Sequence, residues 1–98
     1  MVLEIAGIGA ALGVDKETKL LQITRVFPAS PAFKAGLSSG LLIQKINDQP
    51  TIDKTPDACA QLIRGPAGSK VRLEIINPAR NETNTVELTR QKFTTSNG

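Results

Sequence analysis

The sequence contains no histidine, tryptophan or tyrosine, and it has one cysteine and three phenylalanines in 98 residues. Without an imidazole, a serine or cysteine nucleophile lacks its usual general base, and a transition metal lacks its commonest protein ligand. Cys59 alone cannot form an internal disulfide, and its apolar neighbours predict a buried, unreactive thiol. These absences argue against a catalytic or metal site in this chain, and we expect no cofactor.

The distribution of charged and apolar residues argues against a nucleic-acid partner and against membrane insertion. Twelve lysines and arginines against nine acidic residues give a formal net charge of +3, but the basic residues are spread along the chain. Nucleic-acid binding favours clustered cations together with aromatic side chains for stacking. No apolar run is long enough to cross a bilayer, and the N-terminus does not resemble a signal peptide. We therefore expect no nucleic-acid partner and no membrane insertion by this chain.

The length and the hydrophobic content of 40% suit one compact domain with an aliphatic core. No linker or internal repeat divides the chain, so we expect a single domain over residues 1–98. Its core is predicted to span about residues 6–93. The polar residues 94–98 are predicted to form a frayed tail.

Apolar runs bounded by turn residues predict the strands. The predicted strands cover residues 19–27, 41–46, 71–76 and 86–90. A polar hairpin loop over residues 80–84 is predicted to join the last two. The turn-forming residues that follow the first three strands support these boundaries.

Two helices are predicted between the strands. Ser30 and Thr55 each precede a proline, an order that places an N-cap hydroxyl before a proline at the first helical position. The first helix is short and ends near Gly36, a residue suited to a left-handed C-cap. The second spans about residues 56–64 and stops at Gly65-Pro66. The pattern predicts an α+β fold, a small, partly open β-sandwich or barrel of five to six strands capped by two helices.

Several short segments together resemble one known family of domains. The segments Gly7-Ile8-Gly9-Ala10, Ser30-Pro31-Ala32 and Ala35-Gly36-Leu37 resemble PDZ domains of bacterial type, the first their glycine-rich carboxylate-binding loop and the other two the segment around their first helix. The turn Arg64-Gly65-Pro66-Ala67-Gly68-Ser69 looks most like that of carboxyl-terminal processing proteases. The resemblance covers about residues 6–93 and implies a PDZ-like fold that binds peptides.

The resemblance also implies a binding site. Alternating glycines in a turn at a strand edge direct consecutive N–H groups toward one point, which favours an anion such as a C-terminal carboxylate. The following strand, residues 10–13, would offer a free edge to an extended peptide, and the second helix would wall the other side. The expected peptide- and carboxylate-binding residues are Gly7, Ile8, Gly9, Ala10, Leu12, Ala60 and Ile63.

The glycines and Ala10 also allow other interpretations. The same glycines would also suit a plain tight turn without a ligand. Gly13 comes one residue too late for a dinucleotide-binding fingerprint. Ala10 stands where many PDZ loops carry a bulky apolar residue, so the resemblance implies a wider or shallower pocket.

Two functions stay open at the level of the sequence. The domain recruits C-terminal tails for a carboxyl-terminal processing serine protease whose catalytic dyad lies outside this chain, or it is an interaction or regulatory module of another bacterial envelope protein. Either interpretation implies a location in the periplasm or cell envelope. We expect this chain itself not to be an enzyme, because its surface serines and lysines form no convincing dyad.

Overall fold

A computed structural model describes the backbone of residues 2–96 and the side chains of residues 8–91, so that Met1, Asn97 and Gly98 lie outside the described residues. Its elements, in chain order, are β1 Val2–Gly7, β2 Ala10–Val14, β3 Leu21–Val26, α1 Pro31–Lys34, β4 Leu42–Ile46, β5 Gln49–Pro50, α2 Pro56–Ile63, β6 Lys70–Asn77, β7 Glu82–Thr89 and β8 Gln91–Ser96.

The main sheet is antiparallel with the strand order β2-β3-β4-β6-β7, and the short β5 pairs with β4. Within residues 2–96, β2 and β7 are therefore the edge strands of this sheet. The six strands and two helices confirm the predicted α+β fold. β1 and β8 form a separate antiparallel pair that was not predicted, with Val2 opposite Ser96 and Gly7 opposite Gln91.

The prediction of a frayed tail is wrong for residues 94–96, whose backbone belongs to β8 and pairs with β1. This segment carries no alternation of apolar and polar residues. Its extended conformation comes from hydrogen bonding to a strand at the other end of the chain. A local pattern contains no information about such a partner.

The hairpin between β6 and β7 is tighter than predicted. β7 begins at Glu82, so the turn shortens to residues 78–81, and Asn81 takes a φ of 52°. Thr83 and Asn84 are exposed polar residues, yet they pair with β6 in regular register. The ladder therefore runs beyond the apolar residues that predicted it.

Both helices begin as predicted. The Ser30 hydroxyl accepts a hydrogen bond from the N–H of Phe33 at 3.1 Å, and the Thr55 hydroxyl accepts one from the N–H of Ala58 at 3.1 Å. Each bond satisfies a donor that has no partner within the helix. α2 ends at Ile63, one residue earlier than predicted.

The core lies between the main sheet and the helices and is aliphatic, as the composition predicts. Its fully buried side chains include Leu21, Ile23, Ile43, Ile46, Val71, Leu73 and Cys59. The predicted burial of Cys59 is thus confirmed. Burial raises the pKa of the Cys59 thiol, because the thiolate loses hydration there. Its low reactivity stays a prediction.

Arg90, directly after β7, holds the C-terminal end of α2 and is only 8% exposed. Its guanidinium donates hydrogen bonds to the carbonyls of Ile63 at 2.6 Å and Leu62 at 3.2 Å, and to the Ser69 hydroxyl at 2.8 Å. A positive charge is favourable at this end of a helix. Gly65 leaves room for it, since a Cβ at Gly65 would lie 2.8 Å from Arg90 Cζ.

Candidate functional site

The glycine-rich loop is anchored by the segment that leads into α1. The Ile8 carbonyl accepts a hydrogen bond from the N–H of Ala32, and the Gly9 carbonyl accepts one from the N–H of Phe27, both at 3.0 Å. Gly9 has a φ of 78°, which glycine adopts without a steric penalty. The C=O and N–H of a trans peptide point in opposite directions. The N–H groups of Gly9 and Ala10 therefore point away from the anchoring segment.

Ser30 fixes the anchoring segment itself. Its side chain is fully buried, and its hydroxyl donates to the Phe27 carbonyl at 2.7 Å while accepting from the N–H of Phe33 at 3.1 Å. The hydroxyl thus ties the end of β3 to the first turn of α1. Both backbone donors that hold the loop lie in the stretch that Ser30 stabilises.

β2 presents backbone groups of alternate residues at its outer edge. Ala10 faces Val26 in a pair that exchanges no hydrogen bonds, because the bond joins their neighbours, from the N–H of Phe27 to the carbonyl of Gly9. Leu12 faces Ile23, whose own N–H and C=O both bond on the β4 side. The N–H and C=O of Ala10 and Leu12 therefore point away from β3. An antiparallel strand added to this edge would bond at the same two-residue spacing.

α2 lies along this outer edge and contacts β2. We call the space between them the groove. The half-buried residues from the predicted set are Gly9 in the loop and Ala10, Leu12 and Ala60 at the groove. Ala10 and Leu12 pack against the core cluster. The surface that these residues contribute is apolar and uncharged, which suits contact with apolar ligand side chains.

The remaining predicted residues lie elsewhere. Ile8 and Ile63 are only 2% and 4% exposed, so they lie beneath the groove, in the core. Ile63 and Cys59 lie four residues apart on α2, and this spacing places both on the helix face that packs on the sheet. Gly7 ends β1 opposite Gln91. The structure therefore places the loop directly before β2 and brings α2, which carries Ala60, into contact with β2, while the two isoleucines are buried in the core.

Sequence reasoning missed a β-bulge in β3, the strand that pairs with β2 on the side away from the groove. Ala11 pairs with Arg25 and the next residue of β2 pairs with Ile23, so that Thr24 is the extra residue of a β-bulge. Thr24 and Arg25 are both exposed, and the Arg25 guanidinium lies over the ring of Phe27, 5.1 Å from its centroid. Two consecutive polar residues in an otherwise alternating strand were the available signal.

A second concave surface lies away from the groove. An open cavity of about 570 Å³ between α1 and the end of β7 is lined in part by Pro31, Lys34, Leu88 and Thr89, and by none of the seven predicted residues. Over the part of the chain that the structure describes, no group of His, Cys, Asp and Glu side chains is placed to hold a metal ion. Within the same residues, no helix has the length and apolar character of a membrane span.

A family model for the PDZ domain matches residues 22–77, which is more than half of the chain. The chain belongs to the PDZ-domain family. This PDZ domain is 33% identical over 93 residues to a carboxyl-terminal-processing protease from Synechocystis sp., an alignment that covers 95% of this chain and 22% of the relative. It spans about a fifth of the length of the curated cyanobacterial relatives that it matches.

Solved structures give the same result. A photosystem II D1 C-terminal processing protease superposes with a TM-score of 0.84 at 28% identity, over 91% of this chain and 24% of that chain. The PDZ domain of a carboxy-terminal protease from Vibrio cholerae, solved in complex with a peptide, superposes with a TM-score of 0.74 at 28% identity. That superposition covers 93% of this chain and 98% of that chain. The predicted resemblance to PDZ domains of processing proteases is confirmed.

Proposed function

We propose that this PDZ domain binds the C-terminal or an extended segment of a peptide by adding it as a strand to β2. The proposed site comprises the loop residues Gly7, Ile8, Gly9 and Ala10, together with Leu12 and Ala60, and the buried Ile8 and Ile63 side chains support it from the core. In this arrangement the loop N–H groups hold the terminal carboxylate, and α2 packs against the apolar side chains of the peptide.

The observation that carries this proposal is the direction of the backbone groups along one continuous edge. The N–H groups of Gly9 and Ala10 point away from their anchors, and Leu12 presents both its N–H and C=O outward. A carboxylate at the first position and a peptide group at the second would satisfy these groups together. The related Vibrio cholerae domain was solved in complex with a peptide, which supports a peptide as the ligand.

The parent activity that fits best is substrate recruitment for a carboxyl-terminal processing serine protease. The curated and structural relatives named above are proteases of this kind, and this chain matches only a part of each. Recruitment leaves the chemistry to another part of the parent protein, so the isolated domain is expected to have no hydrolase activity. A location in the bacterial periplasm or cell envelope is part of the same proposal.

The test compares peptides that end in an apolar residue and carry either a free C-terminus or a C-terminal amide. Titration of the 98-residue domain by calorimetry should show tighter binding of the free acid. A charge-assisted hydrogen bond is worth about 1.5–3 kcal/mol, so the affinity ratio should be roughly ten- to a hundredfold.

The outcomes separate the two halves of the proposal. Equal affinity for both peptides would reject carboxylate capture and leave strand addition of an internal segment. No binding by either form, across peptides ending in Ala, Val, Leu and Phe, would reject the peptide-binding function.

A further inference from the structure

The outer face of β2, opposite the core, is nearly bare of side chains. Ala11 and Gly13 are the β2 residues of this face, since they alternate with Ala10 and Leu12. Gly13 lies so close to β3 that a Cβ there would be 3.2 Å from Thr24 Cγ2. Nothing larger than a methyl group on β2 therefore separates a peptide at the outer edge from the exposed side chains of β3.

The register of a bound peptide is set by the outward backbone groups of β2. This step rests on the proposed function, in which the peptide adds as a strand to β2. With the carboxylate at the loop and a peptide residue bonded to Leu12, the penultimate residue of the peptide lies opposite Ala11. Directly opposed residues project from the same face of a sheet. The penultimate side chain therefore lies in one row with Ala11 and with Arg25, the β3 partner of Ala11.

The distance across this row allows contact. Neighbouring strands lie about 4.8 Å apart, so the peptide backbone and β3 would be about 10 Å apart. An arginine and a glutamate that extend toward each other over the methyl group of Ala11 span this gap.

The charge of Arg25 has no internal partner among the described side chains. Within residues 8–91 the carboxylate pairs are Lys70 with Glu87 and Arg72 with Asp48. Arg25 instead stacks on Phe27 at 5.1 Å, a contact that restrains the guanidinium and leaves its N–H donors available. The row beside the groove thus contains a restrained and exposed cation.

We propose that Arg25 is a specificity-determining residue that contacts the penultimate side chain of a bound peptide and favours an acidic residue there. The ligand class is then a peptide with an apolar last residue and an aspartate or glutamate before it. The guanidinium would donate two hydrogen bonds to the carboxylate in the planar geometry that arginine favours.

The test uses three peptides with a free C-terminus and the same apolar last residue, differing only in glutamate, glutamine or lysine at the penultimate position. Exposed ion pairs have modest strengths, so wild-type protein should bind the glutamate peptide about two- to fivefold more tightly than the glutamine peptide. The lysine peptide should bind most weakly. The difference should shrink at high salt, where exposed charges are screened.

Arg25→Glu should invert the order of the glutamate and lysine peptides, since the row then carries a negative charge. Arg80→Glu changes the net charge by the same amount in the turn beyond β6, and it should leave the order unchanged. The glutamine peptide reports any general loss of binding in each variant.

Two outcomes would overturn the inference, and they differ from each other. If all three peptides bind with equal affinity and Arg25→Glu changes no ratio, the role of Arg25 is wrong while peptide binding stands. If none of the peptides binds to wild-type protein when the last residue is Ala, Val, Leu or Phe in turn, the proposed function fails, and the inference fails with it.

Discussion

The two edge strands of the main sheet, β2 and β7, differ in almost every property. Residues 10–13 of β2 are half-buried and apolar, with alternate backbone groups directed outward along α2. Most residues of β7 are exposed and polar, and residues 82–85 are exposed on both faces. An exposed sheet edge can pair with a strand of another chain. The two edges of this sheet therefore need different properties if only one of them is to bind a ligand.

The two edge strands also differ in the segments that adjoin them in the chain. β2 follows the glycine-rich loop, whose carbonyls are anchored and whose N–H groups point outward. β7 leads into Arg90, whose guanidinium holds the end of α2. We infer that the β2 edge serves ligand binding and that the β7 side serves stability. Substitutions on the two sides should therefore affect different measurements.

The largest effect is expected from Arg90→Met on the β7 side. This change leaves buried carbonyl and hydroxyl acceptors without a donor, and the free energy of unfolding should fall by about 3 kcal/mol. Urea unfolding measures the loss, and Arg80→Met is the matched control, with an expected change within about 0.5 kcal/mol. A small effect of Arg90→Met would show that the hydrogen bonds from Arg90 to the end of α2 contribute little to stability.

A smaller loss of stability, joined to a loss of binding, is expected from Gly9→Val. Valine at a φ of 78° is strained by about 1–2 kcal/mol, and in the proposed site its side chain would hinder the approach of the carboxylate to the loop N–H groups. Affinity for a free-acid peptide should fall at least about tenfold, the equivalent of one lost charge-assisted hydrogen bond.

Gly40→Val provides the control for Gly9→Val. Gly40 also has a positive φ, 97°, and an added Cβ meets nothing within 4 Å, but it lies in the turn before β4. It should lose similar stability and retain peptide affinity. Equal loss of binding in both variants would mean that Gly9 acts only through the fold.

The features that could be predicted from the sequence are local ones. The Ser30 and Thr55 caps and the left-handed Gly36, with a φ of 81°, depend on neighbouring residues alone. The features that were missed depend on distant partners. The β1–β8 pair joins the two ends of the chain, and the contact of Arg90 with Ile63 crosses 27 positions.

The candidate site divides in the same way. The glycine spacing predicted the loop. The burial of Ile8 and Ile63 depends on how α2 packs on the sheet, and the spacing of apolar residues does not show which of them face the core and which face the groove. The outward direction of the Ala10 and Leu12 backbone groups depends on the β2–β3 register and on the bulge at Thr24. Register is a property of two strands together and is not contained in either one.

The most direct test of the account is amide hydrogen exchange, followed by NMR, with and without a free-acid peptide. Binding should protect the N–H groups of Gly9, Ala10 and Leu12, which point outward. It should leave Ala11 and Gly13 nearly unchanged, because their N–H groups already bond to β3. The amides of β7 should not respond. Protection along β7 without a change at Ala10 and Leu12 would contradict the assignment of ligand binding to the β2 edge.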